Sequence, residues 1–193
     1  SLGQNAHRFS IEWSRIEPEK GKFSHEAVEH YRRVLLALRE RGLEPFVTMW
    51  HWTNPLWIRD LGGVEDKNFP CHFAYYAKYL VEQLGSLVRF WFTLNEPTSI
   101  IVNSYQEGNW PPQKKSFFAV QAVYKRLAEA HNLAYDKIHK IDPAASVGIA
   151  NILNYFKPQN INSGLDKIAR NFASHYSNER FLNLTKNKHD FLT

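Results

Sequence analysis

Short apolar runs alternate along the chain with longer stretches that repeat apolar residues at helical spacing. The short runs are rich in β-branched and aromatic residues and are apolar nearly throughout, as expected for strands that are covered on both faces. The predicted strands cover residues 7–13, 44–50, 89–94, 145–151 and 189–193. Alternation of this kind indicates repeated βα units around a parallel sheet, which forms either a barrel or a doubly wound sheet.

The stretches between the strands predict helices, and most of them have readable ends. The helices are expected between Ser24 and Gly42, between Phe69 and Gly85, between Ser116 and Asp142, and over residues 163–184. Ser24 is a candidate N-cap, and Gly42 supplies the left-handed residue that often ends a helix.

Counting the units favours one architecture. The 193 residues hold four complete βα units and the start of a fifth strand, and each unit is longer than the ~31 residues expected in a 250-residue eightfold barrel. We therefore predict an α/β fold, a partial (β/α)8 TIM barrel in which residues 1–193 form a single domain of about half a barrel. The long segments 53–68 and 97–115 follow strand C-termini, where such barrels carry their active sites.

Composition excludes several classes of function. The net charge of +5 is scattered among acidic residues, whereas nucleic-acid binding needs a basic stripe or a reading motif. A single cysteine, Cys71, excludes internal disulfides and cysteine-rich zinc sites, and the histidines lack the spacing of metal ligands. We expect no metal, no cofactor and no nucleic-acid partner.

The chain also lacks targeting features. No apolar run approaches the roughly 18 to 20 residues of a membrane helix, and the N-terminus does not resemble a signal peptide. We expect a cytoplasmic protein that does not interact with membranes. Because the chain begins at Ser1 without a methionine and stops within an apolar run, both ends are expected to be truncation points.

The candidate chemistry lies at the ends of the predicted strands. The third strand ends in Thr93-Leu94-Asn95-Glu96-Pro97, and a carboxylate held between an amide and a proline among apolar neighbours is a candidate general acid. The second strand ends in Trp50-His51-Trp52, which offers hydrogen-bond donors and flat apolar faces that suit a sugar ring. Arg8 on the first strand is either a site residue or the ion-pair partner of nearby Glu12.

These stretches resemble glycoside hydrolase family 1, the β-glucosidase and β-galactosidase family. The matching segments are residues 8–16, 44–52 and 93–97, then Ala130-His131 with residues 147–149. The segment around Asn95-Glu96-Pro97 is close to diagnostic. The resemblance implies a (β/α)8 barrel that hydrolyses β-glycosides with retention, of which this chain supplies the second to fifth strands and the start of the sixth.

The resemblance also implies roles for individual residues. Glu96 matches the general acid/base, and Asn95 matches the residue that binds the substrate 2-hydroxyl. His51 and Trp52 match the pair that grips the sugar, and Arg8 matches the arginine beside the nucleophile. The loop with Tyr105, Gly108 and Trp110 is a looser match to the aglycone side. The sugar stays open among gluco, galacto, fuco and 6-phospho forms.

One part of the family pattern is missing. The family nucleophile is a glutamate in a Thr-Glu-Asn-Gly context on the seventh strand, and this sequence contains no such motif. Retaining hydrolysis requires two carboxyl groups, so we expect the isolated chain to be weakly active or inactive. The alternative function is a non-catalytic half-barrel that binds carbohydrate or assembles with a second copy or a complementary barrel half.

Overall fold

The computed structural model describes residues 3–186 and 188–192. Its centre is a five-stranded parallel sheet with the strands in chain order. The strands are β1 (Ala6–Ser10), β2 (Glu44–Trp50), β3 (Phe90–Asn95), β4 (Ser146–Ala150) and β5 (Phe191–Leu192). A parallel sheet with a helical connection after each of the first four strands confirms the predicted α/β class.

Helices fill the connections between the strands. The α-helices are α1 (Trp13–Ile16), α2 (His25–Glu40), α3 (Leu56–Asp60), α4 (Phe69–Leu84), α5 (Pro97–Ile100), α6 (Phe117–Ile141), α7 (Gly164–Ser174) and α8 (Arg180–Leu184). Short 3-10 turns at Gly63–Glu65 and Gly85–Leu87 and π-helical turns at Ile101–Gln106 and His175–Glu179 complete them. The hydroxyl groups of Ser24, Ser116 and Ser163 cap α2, α6 and α7, and Gly42 has the expected positive φ.

The two faces of the sheet have different surroundings. On the outer face, Val47, Trp91 and Val147 are fully buried in one core with residues of α4 and α6. On the inner face, the rings of Phe46 and Phe90 stack with centroids 4.5 Å apart. Both inner rings are only partly buried, so the inner face is the less covered side of the sheet.

The first strand is shorter than the sequence predicts. Residues 7–13 were expected to form a strand, but β1 ends at Ser10 and Trp13 begins α1. The cause is local, because the Glu12 side chain accepts a hydrogen bond from the Ser14 backbone N–H and caps α1. The predicted strand therefore turns into a helix three residues after Ser10.

The fifth strand was expected over residues 189–193 and pairs with β4 through Phe191 and Leu192, while Thr193 lies outside the described residues. Contacts with α6 and β4 fix the position of Asp190, the residue directly before β5. Asp190 accepts hydrogen bonds from the Tyr135 hydroxyl at 2.8 Å and from the Val147 N–H at 2.7 Å. Side-chain contacts thus hold a strand that has little backbone pairing of its own. Within the described part of the chain, no helix combines the length and apolar character needed to cross a membrane.

Candidate active site

The carboxyl ends of β1, β2 and β3 bring most of the predicted site residues to one edge of the sheet. Arg8 lies within β1, His51 directly follows β2, and Glu96 directly follows β3. The charges of Arg8 and Glu96 both act on the His51 ring. Asn95 and Trp52 are joined to the same group by the hydrogen bonds described next.

Arg8 connects three strands on the inner face of the sheet. Its Nε donates to Thr48 Oγ1 on β2 at 3.0 Å, and its Nη2 donates to Asn95 Oδ1 on β3. The guanidinium lies over the Phe92 ring, 4.6 Å from the ring centroid. Partial burial lowers the pKa of Arg8, and the nearby Glu96 carboxylate opposes this shift. The ion pair with Glu12, considered as the alternative from sequence, is not formed.

A bulge in β3 turns Asn95 toward this group. Phe92 pairs with Gly148 and Asn95 pairs with Ala150. Between these two pairs β3 advances by three residues and β4 by only two, so β3 contains one extra residue. Because side chains alternate between faces, the extra residue places Asn95 on the inner face together with Phe92. Thr93, by contrast, points toward α6, where its hydroxyl lies 2.6 Å from Nδ1 of His131.

Glu96 adopts a left-handed backbone, with φ of 40° and ψ of 63°. Its N–H donates to the Ala150 carbonyl at 2.7 Å, and its Oε2 accepts from the Ser99 hydroxyl at 3.0 Å. A non-glycine residue in this region is strained and persists only where its surroundings fix it. Pro97 follows at the first position of α5, so both the backbone and the carboxylate of Glu96 are held in place.

His51 and Trp52 form the opposite side of the group. The His51 ring is held by the Ser10 hydroxyl, 2.7 Å from Nδ1. Burial lowers the pKa of His51, Arg8 lowers it further, and Glu96 raises it. Trp52 is also left-handed, with φ of 75°, and its indole Nε1 donates to the Asn95 carbonyl at 2.9 Å.

Trp110 reaches the group from the loop after β3. Its ring packs against Trp52 with centroids 4.8 Å apart and an interplanar angle of 43°. An ion pair of 2.5 Å between Lys114 and Glu65 joins this loop to the loop after β2. A cleft of about 630 Å³ opens between the two loops, with Trp52, Tyr105 and Trp110 among its lining residues.

Sequence reasoning missed several residues that support the site. Ser10 holds His51, Thr48 holds Arg8, Thr53 binds Glu12, and Ser99 binds Glu96. Strand alternation from Arg8 gives Ser10 and Thr48 the same face and could have found both. Thr53 lies in the loop after β2 and Ser99 lies in the short helix α5, and no sequence signal marks them. Across residues 3–186 and 188–192, no three His, Cys, Asp or Glu side chains gather closely enough to hold a metal ion.

Comparison with known proteins decides the family. The model of glycosyl hydrolase family 1 matches residues 1–188. The chain belongs to glycosyl hydrolase family 1. Beta-glucosidase A of Thermotoga maritima is 32% identical over 158 residues, which are 81% of this chain and 35% of that protein. The family 1 assignment made from the sequence is thereby confirmed.

Solved family 1 structures agree in fold. A beta-glycosidase from Pyrococcus horikoshii superposes with a TM-score of 0.86 at 35% identity, covering 93% of this chain and 41% of that one. The Thermotoga maritima beta-glucosidase in complex with glucoimidazole superposes with a TM-score of 0.87 at 30% identity, covering 90% and 39%. The predicted partial TIM barrel is confirmed, and the chain spans about a third of the length of the curated relatives it matches.

Proposed function

We propose that this chain is the part of a retaining β-glycosidase that carries the general acid/base, and that Glu96 has this role. The observation that supports the proposal is the fixed position of Glu96. A strained backbone at the end of β3 holds the carboxylate beside Asn95, and the same edge of the sheet carries the Arg8 guanidinium and the His51 ring. Strain of this kind is concentrated at functional sites.

In the proposed reaction, a carboxylate nucleophile bonds to the anomeric carbon while the bond from that carbon to the glycosidic oxygen breaks, and Glu96 donates its proton to that oxygen. In the second step water attacks the same carbon and displaces the nucleophile, and the Glu96 carboxylate takes a proton from the water. Retention requires a second carboxylate about 5 to 5.5 Å away as nucleophile. We do not assign this role to Glu12, whose Oε1 accepts from Ser14 and whose Oε2 accepts from Thr53.

The other predicted residues have binding roles in this proposal. Asn95 offers its amide to the 2-hydroxyl of the sugar, and His51 and Trp52 hold the remaining hydroxyls and the ring face. Arg8 orients Asn95 and supplies positive charge beside the nucleophile position. Trp110 extends the Trp52 surface toward the leaving group.

The substrate class follows from the relatives. The matched proteins are named beta-glucosidases and beta-glycosidases, and we therefore infer a β-linked glycoside as the substrate of the whole protein. Two carboxyl groups and water are sufficient for this chemistry, so the mechanism uses no cofactor. The cytoplasmic location expected from the sequence stays a prediction.

Glucoimidazole, the ligand named for the Thermotoga maritima structure, provides a binding test that does not require turnover. Titration into the isotopically labelled chain should shift the indole N–H resonance of Trp52 and the ring resonances of His51. The buried indole of Trp13 is an internal control that should not move. Saturating ligand that leaves Trp52 and His51 unchanged would contradict the proposed sugar site.

A second role, assembly with another copy of the chain, is favoured by the open sheet. Within the described residues, β1 pairs only with β2, and β5 pairs only with β4. The inner rings of Phe46 and Phe90 are partly exposed beside them. Unpaired strand edges and an uncovered apolar face favour association, and two copies related by a twofold axis could cover both edges.

A further inference from the structure

Both chain neighbours of the strained residue Trp52 are hydrogen-bonded to residues 10–12, where β1 ends and α1 begins. The preceding residue, His51, contacts Ser10, and the following residue, Thr53, bonds to Glu12. We propose that Ser10 and Glu12 are positioning residues that together clamp the turn His51-Trp52-Thr53, so that the His51 ring and the Trp52 indole face Glu96. The sugar-binding part of this inference rests on the proposed function, whereas the clamp itself does not.

Ser10 is suited to orient the His51 ring. It is the last residue of β1, on the same face as Arg8, and its Oγ lies 2.7 Å from Nδ1 of His51. This bond occupies one ring nitrogen and fixes the rotation of the ring. Nε2 is then the nitrogen that remains for a ligand.

Glu12 is a rigid anchor for the other side of the turn. Its backbone N–H donates to the hydroxyl of Tyr31 on α2 at 3.0 Å, and its Oε1 accepts from the hydroxyl of Ser14 on α1 at 2.8 Å. With two neighbouring helices fixing it, the carboxylate presents Oε2 to the Thr53 hydroxyl at 2.7 Å. A charged acceptor makes this one of the stronger hydrogen bonds in the region.

The clamp explains how Trp52 keeps an unfavourable backbone. A left-handed conformation is disfavoured for a residue with a large side chain, and Trp52 holds it with φ of 75°. In this conformation its indole donates a hydrogen bond to the Asn95 carbonyl, next to Glu96. Releasing either neighbour would let the backbone relax, and the indole would then leave Asn95.

The test removes one hydroxyl at a time and measures the Trp52 indole N–H resonance by NMR, without ligand. Thr53→Val and Ser10→Ala should each move this resonance toward the position of an unbonded indole, and Ser10→Ala should also change the His51 ring nitrogen shifts. Thr53→Ser restores a hydroxyl and should restore the wild-type resonance. Ser163→Ala is the control, because the Ser163 hydroxyl bonds Asp166 at the start of α7 and contacts neither Glu12 nor the turn.

An unchanged Trp52 resonance in Thr53→Val and Ser10→Ala would overturn the clamp. So would a shift in Thr53→Val that Thr53→Ser does not reverse. Glucoimidazole titration then separates the clamp from the function, since loss of one hydrogen bond should weaken binding roughly fivefold. If the Trp52 resonance shifts in the variants as expected but the wild-type chain does not bind glucoimidazole, the clamp is supported and the proposed function is contradicted.

Discussion

Arg8 on β1 donates a hydrogen bond to Asn95 on β3, reaching across the strand between them. Because arginine carries only donors, the atom of Asn95 that faces it is Oδ1, and the amide Nδ2 is left to donate elsewhere. The same guanidinium bonds Thr48 on β2. One side chain therefore fixes both the sheet and the orientation of the proposed 2-hydroxyl ligand.

Replacing Arg8 should destabilise the sheet. Arg8→Met keeps an apolar stem but leaves the buried Oδ1 of Asn95 without its donor, which should cost about 1 to 3 kcal/mol of unfolding free energy. Urea denaturation measures this value. Arg59→Met is the control, because Arg59 is an exposed residue paired with its neighbour Asp60. Equal stability of Arg8→Met and Arg59→Met would mean that the Arg8 contacts contribute little.

Acid should destabilise the chain through His131. This residue of α6 is fully buried, its Nε2 donates to the Lys188 carbonyl, and its Nδ1 accepts from the Thr93 hydroxyl. Burial lowers the pKa of His131 to about 4, although the bond to Lys188 opposes the shift. The unfolded chain takes up this proton near pH 6.5, so protonation favours unfolding between about pH 6.5 and about pH 4.

The contribution of His131 is therefore complete above about pH 6.5 and falls as the pH is lowered. Between about pH 7.5 and about pH 5 the unfolding free energy should fall by about 2 kcal/mol on account of this residue. Urea denaturation at both values should show a smaller fall in His131→Phe. His25→Gln, which changes an exposed histidine, should keep the wild-type dependence. An unchanged dependence in His131→Phe would refute the assignment.

Gly148 allows β5 to pack closely against β4. A Cβ atom at this position would lie 2.4 Å from the Phe191 carbonyl oxygen and 2.8 Å from its ring. Gly148→Ala must displace β5 and should cost more than about 2 kcal/mol. The control Gly164→Ala meets no atom within 4 Å and should leave the stability unchanged or slightly higher. The thermal midpoints of the two variants compare them directly.

The open sheet predicts self-association. Analytical ultracentrifugation at micromolar concentration should detect a dimer or a larger soluble species, because strand edges and an apolar face remain uncovered. Phe90→Lys places a charge on the inner face and should weaken this association. Phe118→Lys, on an exposed position of α6, should not. A monodisperse wild-type monomer that binds no hydrophobic dye would rule out the assembly.

Much of the fold can be predicted from local patterns in the sequence. The second strand lies at residues 44–50 and Ser24 caps α2, both as predicted, and α6 and α7 begin directly after Ser116 and Ser163, at the predicted helix starts. These features depend on residues close in sequence, namely an apolar run or a hydroxyl near a helix start. They can therefore be recognised without knowledge of the rest of the molecule.

The site geometry depends on contacts that the sequence does not display. The bulge that turns Asn95 inward arises from pairing between β3 and β4, and the left-handed backbones of Trp52 and Glu96 are imposed by their neighbours. The residue types at the strand ends indicated a sugar site. The hydrogen bond between Arg8 and Asn95 could not be predicted from the sequence, because Glu12 was an equally plausible partner for Arg8.

The most direct test of the Glu96 assignment supplies a nucleophile from solution. In phenyl β-glucoside, azide can form the bond to the anomeric carbon while the bond to the phenol oxygen breaks and Glu96 gives that oxygen its proton. Without azide, turnover by the isolated chain should be weak or absent. With azide, the wild-type chain should release phenol, and Glu96→Gln should lose about 10²-fold or more of this rate. Azide-dependent release that is equal in both proteins, or absent from both, would contradict the central claim.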